Sequence, residues 1–409
     1  GIVDQTLNGT SGNDTLLGGM GNDIISTGSG TDTVSGSLGD DVITVDGEGD
    51  KTIDGGAGLD SVIINLSDHS SILDFELGYS NGAYTFTDKS KNVITISHVE
   101  NYTIGSNGYI TWNDDAINSG DGGARNSFWG QNDKVLKAYG SSIFYGAKLT
   151  NTSSPFTGLS KTDDFQYIGS SYSDSLNLNI NRSDYTGNLN IATGDGNDSI
   201  SSYRGLTGDS IDLGSGDDSI NIYPLSGETI AAFNYTKLDG GAGTDTLRFN
   251  GSGYGEAGAT ITLTSRGATN FENLEGTGVA ETIEGDSGDN ILSGGDGADT
   301  INGNAGNDTL YGRGPGSFND SANNILNGGS GNDTLIAGDG EDTLDGGKGS
   351  DRIQSGSGED LIILRAGDGG LALSDADIIG EIVSENPWMS MYSSGNGFTV
   401  GSDSFGLAD

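Results

Sequence analysis

Aspartate recurs in this chain at nine-residue steps, each time just after a glycine-rich stretch. From Gly9 the sequence reads GTSGNDTLL, GGMGNDIIS, TGSGTDTVS and GSLGDDVIT without a gap, and DGEGDKTID and GGAGLDSVI follow after one extra residue. The carboxylates at this position of the repeat are Asp14, Asp23, Asp32, Asp41 and Asp60, then Asp198, Asp209, Asp218 and Asp245, and finally Asp299, Asp308, Asp333, Asp342, Asp351 and Asp360. A carboxylate beside glycines, which bend the chain and expose backbone carbonyls, offers hard oxygen donors. Calcium takes six to eight such oxygens. If alternate repeats lie on opposite edges of a coil, Asp14 faces Asp32, Asp23 faces Asp41, Asp333 faces Asp351 and Asp342 faces Asp360. Carboxylates stacked this closely with no cation between them would oppose folding.

The elements that position these groups follow from the same repeat. With positions numbered one to nine, glycine favours one, two and four, Asp holds six, and Ile, Leu or Val holds eight. Glycine admits the positive φ of a tight turn. The last three residues make a short strand in which alternation turns only position eight inward. Two repeats close one coil, and coils stack at the ~4.8 Å spacing of hydrogen-bonded strands. The expected fold is all-β, a parallel β-roll or β-solenoid of GGxGxD nonapeptides interrupted by irregular β-rich segments. Its expected divisions are a repeat block over 1–63, a β-rich insertion over 64–162, and a degenerate solenoid with a second block over 163–248. An irregular coil over 249–275, a third block over 276–363 and a C-terminal cap over 364–409, holding Pro387 and Trp388, complete it. GRGPGSF at 312–318 reads as a loop extruded from one turn.

Composition narrows the function classes. The chain has 409 residues, 59 acidic against 17 basic, a formal charge of −42 and 73 glycines. Such acidity excludes nucleic acid and anionic membranes as partners. There is no cysteine, hence no disulfide and no thiolate metal site, and only two histidines, His69 and His98. No apolar run approaches the ~18 residues of a membrane span. The opening GIVDQTLNGT lacks both an initiator Met and a signal-peptide pattern, which fits a processed form, a fragment or export by a C-terminal signal.

The nonapeptide resembles the repeats-in-toxin (RTX) signature G-G-x-G-x-D-x-U-x, a calcium-binding repeat. The segments VENYTI at 99–104 and NFENLEGTGVAETIEGDSGDNILSGG at 270–295 also look like RTX neighbours. The resemblance implies folding on several Ca2+ ions and type I secretion to the cell surface or beyond. It also implies a ligand set in which Gly328, Ser330 and Asp333 meet Gly347, Gly349 and Asp351 around one ion. Lys51, Glu281, Asn290 and Asn324 depart from the pattern at position six. An ammonium at Lys51 replaces or abolishes a site, and the amides weaken theirs.

Other motifs carry less. N-x-[ST] sequons at Asn13, Asn197, Asn307 and Asn332 are by-products of the repeat, leaving Asn65, Asn101, Asn151 and Asn181 as glycosylation candidates. No G-x-S-x-G or HExxH motif is present. Trp112 and Trp129 read as core, with a sugar-binding face as the alternative. The expectation is therefore a non-enzymatic extracellular protein that self-associates on calcium into a surface layer, filament or matrix. The alternatives are an adhesin that binds surface glycans through 64–162, or an enzyme whose site the motifs do not reveal.

Overall fold

The computed structural model describes residues 3–112, 124, 126–130, 132–140, 142–145, 156, 158–180, 182, 184–203, 205–223, 234–249, 257–313, 321–365, 378–379 and 404–408. Pro387, Trp388, Asn151, Asn181 and most of the 312–318 and 364–409 segments lie outside them. The chain divides into two compact units, Gly1–Gly196 and Asn197–Asp409.

In the first unit, Thr15–Met20, Asp32–Leu38 and Lys51–Ala57 pair in parallel as one wall of a roll. Thr6–Asn8, Ile24–Ser26, Val42–Val45 and Ser61–Ile64 form the facing wall, also parallel. Thr15 stacks on Thr33 and Ile24 on Val42, the expected two-repeat coil. Position eight points inward from both walls. Ile25, Val34, Ile43, Ile53 and Val62 are all at most 1% exposed and form one core. The residues on either side of each alternate outward, as a strand requires.

The 64–162 segment is hydrogen-bonded into this roll. Val93–Ser97 runs parallel to the wall strand at Lys51–Asp54, and Asn101–Ile104 runs parallel to Ser61–Ile64. Antiparallel hairpins branch from these strands, Glu76–Ser80 with Ala83–Thr87 on one wall and Asn107–Trp112 with Ser127–Gly130 on the other. Parallel pairing returns where Val135–Ala138 meets Phe165–Ile168 and Ile143–Tyr145 meets Ser175–Asn177. Trp129 is 0% exposed and packs edge-on against Phe156 at 5.1 Å, so it is a core residue.

The second unit repeats the plan. Ser199–Tyr203, Ser219–Ile222, Thr246–Phe249, Asn273–Glu275, Ile291–Ser293, Thr309–Tyr311, Thr334–Asp339 and Arg352–Ser357 stack as one parallel wall. Thr260–Thr262, Thr282–Glu284, Thr300–Ala305, Ile325–Ser330, Thr343–Lys348 and Leu361–Arg365 form another. Where GRGPGSF interrupts, the step between partners lengthens from 18 residues to 25, and the register is otherwise kept.

Candidate metal centre

The position-six side chains form a ladder along each edge of the roll. The amide N–H of each residue donates to Oδ1 of its counterpart one coil on: Asp14 to Asp32 at 2.9 Å, Asp23 to Asp41 at 2.7 Å, Asp333 to Asp351 at 2.8 Å and Asp342 to Asp360 at 2.9 Å. All four expected partnerships are therefore in contact. Asp41 continues to Asp60, Asp198 to Asp218, Asp218 to Asp245, and Asp308 to Asp333. Glu281, Asn290 and Asn324 take their places in the same ladder, donating to Asp299, Asp308 and Asp342, and Asn324 accepts from Asp299.

The second carboxylate oxygen is the reactive one. In Asp23, Asp41, Asp60, Asp218, Asp245, Asp308 and Asp333, Oδ2 is buried and accepts no hydrogen bond. A charge so placed costs on the order of several kcal/mol unless a cation meets it. Burial accordingly pushes the carboxyls of Asp41, Asp60 and Asp245 up, and those of Asp218 and Asp308 up to about 6. Asp333 rises to about 7 by burial, with the neighbouring Asp351 and Asp308 charges adding to it.

Carbonyls complete the donor set. A Cβ on Gly18 would lie 2.3 Å from Asp23 Oδ2 and 2.7 Å from the Gly36 carbonyl oxygen, and one on Gly36 would lie 2.2 Å from Asp41 Oδ2 and 2.4 Å from that of Gly55. Position one is thus glycine for space rather than for φ. The hollow it keeps open is rimmed by a carboxylate oxygen and a carbonyl oxygen, which fits a hard divalent cation. At the transferred ligand set, Gly329 stacks on Gly347 and Ser330 on Lys348, and Asp333 meets Asp351. A Cβ on Gly328 would lie 2.5 Å from both Asp333 Oδ2 and the Gly346 carbonyl, a group outside that set. A Cβ on Gly349, at φ 136°, would run into the Gly331 carbonyl. Among the described residues no three acidic or histidine side chains gather in one place, so carbonyls must supply part of any calcium shell here.

Position two decides whether Oδ2 is left open. Gly19, Ser37, Gly56, Gly214, Gly241, Asn304 and Gly329 all have positive φ, between 83° and 112° for Gly19, Ser37 and Gly329, and their repeats carry the open carboxylates. Thr10 and Ser170 do not have positive φ, and their amides turn inward. Thr10 N donates to Asp14 Oδ2 at 2.6 Å, and Ser170 N donates to Asp174 Oδ2 at 2.9 Å. Thr277 closes on Glu281 in the same way, through its amide and its hydroxyl. Asp14 is thereby capped by its own turn. Asp209 is engaged too, its Oδ2 accepting from Leu206 N at 2.8 Å and from the Tyr203 hydroxyl at 3.2 Å.

Lys51 is a cation already in place. Its ammonium is buried, 3.3 Å from Asp32 Oδ2, and donates to the carbonyls of Gly30 at 2.6 Å, Glu48 at 3.1 Å and Gly49 at 3.3 Å. One carboxylate and three turn carbonyls converge on a single positive charge. Position five, which the sequence left unassigned, makes a second ladder running the opposite way. Asp40 N donates to Asn22 Oδ1, Asn332 N to Asn307 Oδ1 and Ser350 N to Asn332 Oδ1. The recurrent Asn-Asp pair is its signal.

A family model for the RTX calcium-binding nonapeptide repeat matches four times, over residues 8–43, 275–314, 318–353 and 336–371. The chain carries RTX calcium-binding repeats. No curated protein sequence matches it. Among solved structures it is similar to an extracellular lipase, LipA from Serratia marcescens, at 16% identity and a TM-score of 0.23. That similarity covers 70% of this chain and 33% of the lipase chain. The repeats so matched are calcium-binding repeats of a parallel β-roll, and no helix among the described residues is long and apolar enough to cross a membrane.

Proposed function

We propose that this chain is a secreted structural protein whose RTX rolls fold on calcium and then associate into an extracellular layer, filament or matrix. The observation that carries the reading is the row of buried, unpartnered Oδ2 atoms beside turn carbonyls. A chain with charge −42 and such rows repels both itself and its copies until cations fill the turns. Calcium at millimolar concentration, the range of weak extracellular sites, supplies the missing charge. Type I secretion to the outside suits a chain that stays unfolded where calcium is scarce. In such a protein the coils and turns serve folding and assembly, and no side chain among them acts as a catalyst. Electron microscopy and sedimentation with and without calcium test it: ordered assemblies form above roughly 1 mM calcium and dissolve in chelator. A chain that remains monomeric throughout sinks the assembly reading.

One observation favours a glycan-binding reading as the second. An open cleft of about 440 Å³ in the first unit is lined by Asp74, Glu76, Lys89, Lys91 and Lys137 beside Tyr172, which is 60% exposed. An aromatic face among charged hydrogen-bonding groups suits a sugar. A glycan screen in which Tyr172→Ala abolishes binding would establish it.

A further inference from the structure

Two glutamates, one in each unit, occupy the ladder where no nonapeptide motif assigns a site. Asp60 N donates to Glu100 Oε2 at 2.8 Å, and Asp245 N donates to Glu272 Oε2 at 2.8 Å. The strands that follow fix the register, since Asn101 pairs with Ser61 and Asn273 with Thr246. Each glutamate therefore stands at position six of a coil without the glycine turn.

The two turns match atom for atom. His98 and Asn270 sit two residues before the glutamates with φ of 50° and 55°. Their side chains each meet a carboxylate of the preceding coil, His98 Nδ1 with Asp54 Oδ1 and Asn270 Nδ2 with Asp239 Oδ1, both at 2.7 Å. Val99 and Phe271 between them are buried. A Cβ on Gly55 would lie 2.0 Å from the His98 carbonyl oxygen and 2.8 Å from Asp60 Oδ2, and one on Gly240 would lie 2.0 Å from that of Asn270 and 2.9 Å from Asp245 Oδ2. Asp60 and Asp245 are both 0% exposed, and both Oδ2 atoms lack a hydrogen bond. The carbonyl residue lies only two residues before the acid here, against five in the full turn. The longer glutamate arm makes up the reach.

We infer that Asp60 with Glu100 and the His98 carbonyl, and Asp245 with Glu272 and the Asn270 carbonyl, are two further calcium sites that close the ladder at a shortened turn. The inference rests on the calcium reading of the RTX turns. Native mass spectrometry of the full chain in calcium tests it. Glu100→Gln and Glu272→Gln keep an acceptor for the Asp60 and Asp245 amides but remove the charge. Each should lose one ion relative to the unmodified chain, and the double variant two. Unchanged ion counts in folded variants would overturn the inference while leaving the other sites standing. If the unmodified chain takes up no calcium, the RTX reading itself fails. Should the glutamine variants not fold, terbium in crystals of the unmodified chain decides. Anomalous peaks beside Asp60 and Asp245 Oδ2 support the two sites, and peaks only at the other turns refute them.

Discussion

At the residue scale, the turn is a switch set by one backbone angle. With position two at positive φ, its amide points away and Oδ2 is left for a cation; otherwise the amide takes the oxygen itself, as Thr10 does at Asp14. Thr10→Gly should therefore add one calcium to the count measured by native mass spectrometry. Gly329→Ala should do the reverse and more. Its Cβ would lie 2.2 Å from the Asn304 carbonyl oxygen at φ 112°, so calcium-induced folding should need several-fold more calcium in a circular dichroism titration. Acid should act as a partial substitute for the metal. Asp333 at about 7, and Asp218 and Asp308 at about 6, bind protons more tightly folded than unfolded. The stability these groups contribute is present below the unfolded carboxyl range near 4 and lost as pH rises through 6 to 7. In chelator, β signal should thus grow as pH falls from 8 towards 4. A flat profile would show that these carboxylates do not limit folding.

At the element scale, the strands obey alternation and the turns obey counting. Leu335 is 0% exposed between two walls, so Leu335→Ala should cost about 2–5 kcal/mol, read as a lowered midpoint in urea at saturating calcium. The nine-residue period makes position eight and the 18-residue partnerships legible in the sequence, because each is a matter of spacing. What spacing could not show is direction. That Asp14 is capped while Asp23 is open depends on which way an amide points at Thr10 and Gly19. Residues 64–162 stand apart in the sequence for their aromatics, yet Val93–Ser97 and Asn101–Ile104 stack on the roll, because strand pairing is satisfied by backbone whatever the side chains are. Glu100 and Glu272 hid for a related reason: a turn shortened by three residues breaks the period while keeping the register.

At the scale of the whole molecule, charge governs. At about 2 mM calcium and a dissociation constant of about 0.2 mM, each filled site stabilises by roughly 1.4 kcal/mol. Several such sites rival the total stability of an ordinary domain. Chelation should remove most β signal, and calcium rather than magnesium should restore it, since magnesium demands a smaller octahedral shell. Lys51 makes one coil an exception, because its counter-charge arrives with the chain. In a stack where each coil leans only on its neighbours, structure spreads outward from wherever it first holds. A coil that needs no ion from solution is where the clock starts. Refolding at limiting calcium should begin around residues 30–51, and Lys51→Met should lengthen the lag while leaving the final calcium-saturated signal unchanged. The chain would then owe its order to calcium but its promptness to a single lysine.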